Sequence, residues 1–144
     1  MKYRLLLLAL LILPLCAKAI EFATVDTAAI LYDAPSVRGA RLFVIRRDTP
    51  VEIVVSIKDW NKVRDAEGTL AWIEKQYLSN RRTLIVTAER ATIRQRADEG
   101  SPVVFEAERN VSLEYVSPPS GGWIRARHRD GQAGFVRLGQ VWGF

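Results

Sequence analysis

The sequence predicts an all-β protein, built as two small β-barrels in tandem behind a secretory leader. A fourteen-residue phrase, "WNKVRDAEGTLAWI" at residues 60–73, returns as "WIRARHRDGQAGFV" at residues 123–136 without insertion or deletion. Short segments rich in β-branched and aromatic residues recur between Gly, Pro, Asp and Ser, and no window keeps a helical period over the roughly ten residues that a helix needs. Each copy has about 60 residues, and a closed or nearly closed barrel would limit the exposed edges of a sheet so small.

The leader is expected to be a signal peptide over residues 1–19, cleaved near Ala19. It joins a cationic start, "MKYR", to the apolar run "LLLLALLILPL" and a small-x-small site, "AKA". A membrane anchor is an alternative, but the run is shorter than the roughly 20 residues that span a bilayer. Lipidation at Cys16 is another alternative, which Leu15 disfavours because lipoprotein leaders carry a small residue there.

Charge and cysteine content narrow the function classes. The formal charge falls from +5 to +2 without the leader, because Lys2, Arg4 and Lys18 leave and no acid does. So small an excess argues against a dedicated nucleic-acid binder. The only cysteine, Cys16, leaves with the leader as well, which excludes disulfides, a cysteine nucleophile and a thiolate metal site from the mature chain.

The repeat sets the domain boundaries. An offset of 63 aligns the two phrases, and it also places "AAILYDA" at 28–34 opposite "ATIRQRA" at 91–97. Nearer the tryptophans the offset is 62, so one extra residue is expected in a loop, "SPPSGG" at 117–122. The domains are therefore predicted as residues 20–80 and 81–144. The segment "SNRR" between them is a linker in the simplest interpretation, and a docked junction is the alternative.

Each repeated phrase predicts a β-hairpin. Asp130 and Gly131 suit the two central positions of a type I′ turn, as do Glu67 and Gly68 in the first copy. These turns would place Val63 opposite Trp72, and Ala126 opposite Phe135, on the core side of the sheet. Ala71 and Gly134 would lie opposite Arg64 and Arg127, on the outer face. The strands expected around the hairpins are "RLFVI", "VEIVVSI", "TLAWI", "TLIVTA" and "SLEYV".

Residues 31–83 carry a family resemblance. They contain a Pro segment after the first strand, then "TPVEI", "WNKVRD", a Gly turn and "AWI". This pattern resembles the bacterial SH3-like (SH3b) domain. The likeness covers residues 28–83 well and residues 90–142 more weakly. In the second copy Asp98 occupies the position of Pro35, and Phe135 replaces the tryptophan. The resemblance implies tandem SH3-like barrels that act as non-catalytic modules outside the cytoplasm, often in cell-wall or protein binding.

No catalytic or metal constellation is expected. The single His, His128, lies between Arg127 and Arg129, which disfavour its charged form, and the spacing offers it no nucleophile or orienting carboxylate. One His with scattered acids gives no metal-ligand spacing, and no Gly-rich phosphate loop is present. The sequence therefore predicts a protein that is not an enzyme and has no cofactor.

The candidate ligand-binding residues are two tryptophans with cations two residues away on the same face, joined by a tyrosine of the first copy. Indole rings stack on sugars, and the cations suit acidic groups such as peptide carboxylates. The alternative is that each tryptophan closes an undersized core beneath a Lys or Arg stem. The candidates are Tyr32, Trp60, Lys62, Arg64, Trp123, Arg125 and Arg127.

Two functions are compatible with these residues. The first is a cell-envelope binding module that recognises peptidoglycan or another wall component, with avidity from two weak sites. The second is a protein-interaction or scaffold subunit of the periplasm. Either partner is expected in the periplasm or outside the cell, with no nucleic acid and no stable membrane insertion. Hydrolysis through His128 is a third and weaker hypothesis.

Overall fold

The computed structural model describes residues 19–144, which form two antiparallel sheets of seven strands each. Most of the predicted leader, with Cys16, lies outside the described residues. The all-β prediction is confirmed, because the helical elements of the described part are two 3-10 turns, Lys75–Tyr77 and Leu138–Gln140. None of its helices is long and apolar enough to cross a membrane. The first sheet contains β1 (Glu21–Val25), β2 (Ala29–Tyr32), β3 (Arg41–Ile45), β4 (Pro50–Ile57), β5 (Trp60–Arg64), β6 (Leu70–Glu74) and β7 (Leu78–Ser79). The second contains β8 (Thr83–Val86), β9 (Arg90–Arg94), β10 (Val103–Glu108), β11 (Ser112–Ser120), β12 (Trp123–Arg127), β13 (Ala133–Arg137) and β14 (Val141–Trp142).

The two sheets share one topology. The strand order is β3-β2-β6-β5-β4-β1-β7 in the first and β10-β9-β13-β12-β11-β8-β14 in the second, so every strand has its counterpart seven strands later. Each sheet encloses its own apolar cluster, centred on Leu31, Val63 and Ile73 in the first barrel and on Ile93, Ile124 and Val136 in the second. The duplicated phrase therefore marks two barrels with separate cores, as expected.

The hairpin turns differ from the prediction. Gly68 N–H donates to the Asp65 carbonyl at 3.1 Å, Asp65 N–H donates to Thr69, and Gly68 has φ of 90°. This is a three-residue loop, a type I turn followed by a left-handed glycine, rather than a two-residue type I′ turn. The second copy repeats it around Gly131, whose φ is 96°.

The extra loop residue shifts both registers by one. Val63 lies opposite Ala71 and Lys62 opposite Trp72, so the predicted Val63–Trp72 pair was wrong. The predicted pairing of Ala126 with Phe135 was wrong in the same way, because Ala126 lies opposite Gly134 and Arg125 opposite Phe135. Since directly opposed residues share a face, Ala71 and Gly134 belong to the cores, while Trp72 and Phe135 belong to the outer faces.

The segment "SPPSGG" is a loop only at its end. Strand β11 continues to Ser120, and the turn is made by Gly121 and Gly122 at positive φ. The register against β12 shifts between Ser117 and Ser120. Prolines are tolerated at such irregularities because no ladder hydrogen bond is required of them. The prediction of a loop was therefore wrong for residues 117–120, which belong to β11.

The barrels are docked through the segment predicted as a linker. The Thr24 hydroxyl donates to the Arg81 carbonyl and lies 2.9 Å from the buried Thr83 hydroxyl. Phe22 of the first barrel meets Trp142 of the second edge to face, with ring centroids 5.0 Å apart. Of the two interpretations of "SNRR", the docked junction matches the structure.

Arg82 is the central side chain of this junction. Its guanidinium lies 5.3 Å from the centroid of the Phe22 ring and 4.8 Å from that of Tyr115, and it donates to the Gly143 carbonyl at 2.9 Å. A Cβ at Gly143 would lie 2.7 Å from the Thr83 carbonyl oxygen, so only glycine fits there. These contacts join the two barrels across a small apolar and cationic seam.

Candidate aromatic binding site

The outer face of the first barrel gathers three aromatic rings and a lysine. Trp72 on β6 is paired with Tyr32 on one side and with Lys62 on the other. Trp60 lies on the same face of β5, and its ring meets Tyr32 edge to face at 5.5 Å between centroids. We call this group the aromatic face: Tyr32, Trp60, Lys62 and Trp72.

Burial within the aromatic face is graded. Tyr32 is 6% exposed and forms its base, while Trp60 and Trp72 are half-buried and keep part of each ring in solvent. Lys62, also half-buried, has no ion pair among residues 19–144. The arrangement offers partly open indole surface beside one cation, which suits a sugar ring or an apolar group that carries a carboxylate.

Arg64, a candidate from the sequence, is already engaged. Its Nη1 lies 3.2 Å from Glu52 Oε2 on the neighbouring strand. The equivalent Arg127 lies 3.4 Å from Glu114. The first pair joins directly opposed residues of β4 and β5, and the second joins those of β11 and β12. These arginines are therefore paired on the sheet surface and are not part of the aromatic face.

The second barrel closes the equivalent face. Trp123 is 6% exposed, and the Arg137 guanidinium lies 4.4 Å from its ring centroid. Glu99 holds Arg137 in place, with Oε1 at 2.6 Å from Nε. This is the arrangement that the sequence analysis offered as the alternative to a binding role, a tryptophan under an arginine stem.

Single-residue differences explain why the two faces diverge. The counterpart of Arg137 is Glu74, which accepts a hydrogen bond from Gln76 at 2.8 Å and carries no cation to lay over Trp60. The counterpart of Tyr32 is Gln95. Arg125 lies opposite Phe135, but without an open tryptophan beside it. The structure therefore brings Tyr32, Trp60 and Lys62 together and does not make a second site of the same kind from Trp123, Arg125 and Arg127.

Trp72 is the functional candidate that the sequence analysis missed. The missing signal was the turn type: "DAEG" has Asp at the first and Gly at the fourth position, which favours a type I turn. The Asp65 carboxylate accepts from Glu67 N–H at 2.9 Å and from Thr69 N–H at 2.8 Å, and so stabilises this loop. With the three-residue loop, Trp72 moves to the outer face.

His128 has a carboxylate partner, so the expectation that no carboxylate would orient it was wrong. Its Nδ1 lies 3.0 Å from Asp130 Oδ2, and its ring packs near Phe105. The Gln132 backbone N–H, with a smaller contribution from His128, holds the pKa of Asp130 below its ordinary value. This pair stabilises the turn between β12 and β13. Within the described part of the chain no three His, Cys, Asp or Glu residues form a group suited to a metal ion.

Comparisons with known proteins agree with the duplicated fold. A family model described as bacterial SH3 domain matches twice, over residues 25–80 and 87–143, which confirms the expected resemblance. NlpC2 from Trichomonas vaginalis is similar at 15% identity, over 88% of this chain and 49% of that one, with a TM-score of 0.39. An NlpC/P60 family protein from Bacillus cereus ATCC 10987 is similar at 17% identity, over 86% of this chain and 56% of that one, also with a TM-score of 0.39. The chain thus spans about half the length of these solved structures, and among curated proteins none matches it.

Proposed function

This chain belongs to the bacterial SH3 domain family, and from that premise we propose that it is a non-catalytic binding module of the cell envelope, whose first barrel recognises a cell-wall component. Members of the family are typically non-catalytic modules that bind cell-wall components. The leader predicted over residues 1–19 supports a location in the periplasm or outside the cell.

The observation that carries the proposal is the open aromatic face. Trp60 and Trp72 present part of their indole surface, and the buried Tyr32 packs against the Trp60 ring and pairs with Trp72 on the neighbouring strand. A glycan ring gains stacking area on such a surface, and Lys62 can attract a carboxylate of the same polymer. Because Trp123 is covered, the proposal involves one face per chain, and avidity between two equal sites is not part of it.

Sedimentation with purified peptidoglycan tests the proposal. We expect Trp72→Ala to lower the retained affinity by about tenfold, the loss of roughly 1.4 kcal/mol of binding free energy. The matched control is Phe135→Ala, which removes the equivalent half-buried ring from the second barrel and should leave retention unchanged. Lys62→Gln and Arg125→Gln form a second matched pair, of which only the first should weaken retention.

The controls also separate binding from folding. Circular dichroism and the melting temperature must show that each variant keeps its β structure. Equal losses for Trp72→Ala and Phe135→Ala, or full retention of both, would show that the aromatic face does not bind the wall.

A protein-interaction subunit is the second candidate, and the edge strand β3 favours it. This strand pairs only with β2 in the described sheet, and Leu42, Phe43 and Val44 on it are 46%, 39% and 64% exposed. An extended segment of a partner protein could add to such an edge. Failure of the wild-type chain to sediment with peptidoglycan at low salt, together with capture of an envelope protein that Val44→Lys abolishes, would favour this candidate.

A further inference from the structure

A cleft between the two barrels concentrates positive charge. It has a volume of about 550 Å³, and its lining includes five arginines and two carboxylates. This local excess of three charges exceeds the net charge of +2 that residues 20–144 carry. The arginines of the inter-barrel cleft are Arg46, Arg47, Arg81, Arg127 and Arg129.

Neither barrel forms the cleft alone. Arg46 and Arg47 lie in the turn between β3 and β4, whereas Arg127 and Arg129 lie at the end of β12 and in the turn that follows. Arg46 Nη2 donates across the cleft to the Asn110 carbonyl at 3.4 Å. The junction around Arg82 fixes the two walls relative to each other, so the arginines are held together before any ligand arrives, which lowers the entropic cost of binding.

Two of the five arginines, Arg46 and Arg129, have no carboxylate partner among residues 19–144, and Arg47 has only a distant one. Arg127 is paired with Glu114 at 3.4 Å, and Arg81 is paired with Asp48. Arg47 approaches Asp48 only at 3.9 Å and is 68% exposed. Arg46 contacts a neutral carbonyl, and Arg129 has no ion pair within residues 19–144. Guanidinium groups bind carboxylates through two parallel hydrogen bonds.

We propose that the inter-barrel cleft binds an acidic peptide segment that presents two or more carboxylates to Arg46, Arg47 and Arg129. The cleft already receives carboxylates, since Asp48 and Glu114 bind two of its arginines. Its concave shape and volume fit a short chain, whereas a membrane surface would need a flat basic face. The site is separate from the aromatic face, so this proposal stands or fails independently of wall-glycan binding.

Binding of fluorescein-labelled hexaglutamate, measured by anisotropy, tests the proposal. We expect the triple variant Arg46→Gln/Arg47→Gln/Arg129→Gln to weaken binding by about tenfold or more at about 20 mM salt, with a smaller difference at about 150 mM because the exposed pairs are screened. The matched control is Arg38→Gln/Arg41→Gln/Arg96→Gln, which removes the same charge from exposed arginines outside the cleft and should bind like the wild type. Trp72→Ala should also bind like the wild type.

Several outcomes would overturn the proposal. One is an equal loss in the two triple variants, which would reveal unspecific attraction to net charge. Another is undiminished binding by the cleft variant. A third is stronger binding of inorganic tripolyphosphate, or of phosphatidylglycerol vesicles, than of hexaglutamate, which would assign the cleft to phosphate or to a membrane. Unchanged melting temperatures exclude unfolding as the cause of any loss.

Discussion

Removing Arg137 should open the closed face of the second barrel. The guanidinium lies 4.4 Å from the Trp123 ring centroid and donates to Glu99 at 2.6 Å. Arg137→Ala deletes both contacts and leaves the indole, 6% exposed in the native structure, without its cover. The expected result is a second barrel that keeps its fold and exposes Trp123.

The magnitude follows from the exposure of the groups. A cation on an aromatic face contributes about 0.5–1 kcal/mol at an exposed site. The ion pair adds about 0–1 kcal/mol, because the Arg137 and Glu99 side chains are 44% and 59% exposed. We therefore expect the free energy of unfolding to fall by about 0.5–2 kcal/mol. Each kcal/mol lowers the Tm of a cooperative unit of 60–100 residues by about 4–8 °C, and that of a larger unit by less.

Two measurements check this prediction. Thermal unfolding gives the stability change, and hydrogen exchange of the Trp123 indole N–H, identified by its absence in Trp123→Phe, gives the exposure. The control is Arg125→Ala, an exposed arginine on the same face, which should change neither quantity. If Arg137→Ala leaves the indole as protected as in the wild type, the arginine is not what covers Trp123, and the explanation for the closed face is refuted.

Three further predictions follow from packing, the junction and the turn. Gly134→Ala should destabilise the chain by about 1–3 kcal/mol, since its Cβ would meet the Arg94 carbonyl oxygen and lie 2.7 Å from Ile93 Cγ2; a chemical denaturation midpoint equal to that of the wild type would contradict this. Arg82→Ala should loosen the junction, so that calorimetry resolves two unfolding transitions rather than one. Arg82→Lys should also give two transitions, because an ammonium lacks the planar guanidinium group that contacts both rings. The lowered pKa of Asp130 means that its contribution to the turn is present above the ordinary value of 3.8 and is lost as the pH falls through the folded pKa; an NMR titration midpoint at or above 3.8 would contradict this.

The sequence was sufficient for the fold because the fold depends on repeated, local signals. The "WNKVRD" and "WIRARH" phrases recur at a constant offset, and the apolar positions within them alternate as strands require. Because each copy is a continuous stretch of the chain, each folds around its own apolar cluster, with Val63 in the first and Ile124 in the second. No contact between the two copies is needed to define these two cores.

The site was less predictable because it depends on a turn and on distant pairs. The face of Trp72 changed with a single loop residue, since a one-residue slip moves every side chain of a strand to the other face. The cover over Trp123 depends on Glu99, 38 residues away from Arg137 in the chain. The sequence pattern of a tryptophan followed by cations is the same in both copies, although one copy is open and the other is closed.

The inter-barrel cleft could not be predicted from charge totals for a related reason. Two of its arginines, Arg46 in one barrel and Arg129 in the other, come from turns more than 80 residues apart, and residues 20–144 carry a net charge of only +2. Docking through Arg82 brings these turns together, and the two carboxylates that line the cleft, Asp48 and Glu114, offset only part of its positive charge. A small net charge argues against a broad basic face, but it places no limit on a local cluster.

Different residues at equivalent outer positions account for the different surfaces of the two barrels. The shared ladder keeps both cores, so changes at outer positions cost little stability: Glu74 in the first barrel corresponds to Arg137 in the second, and Ser36 corresponds to Glu99. Arg137 and Glu99 together close the face of the second barrel, whereas Glu74 and Ser36 leave the equivalent face of the first barrel open. The second barrel, whose tryptophan is covered, supplies a wall of the inter-barrel cleft through Arg127 and Arg129. The tandem therefore carries an aromatic face on its first barrel and a cationic cleft between the barrels, two separate surfaces of different chemistry.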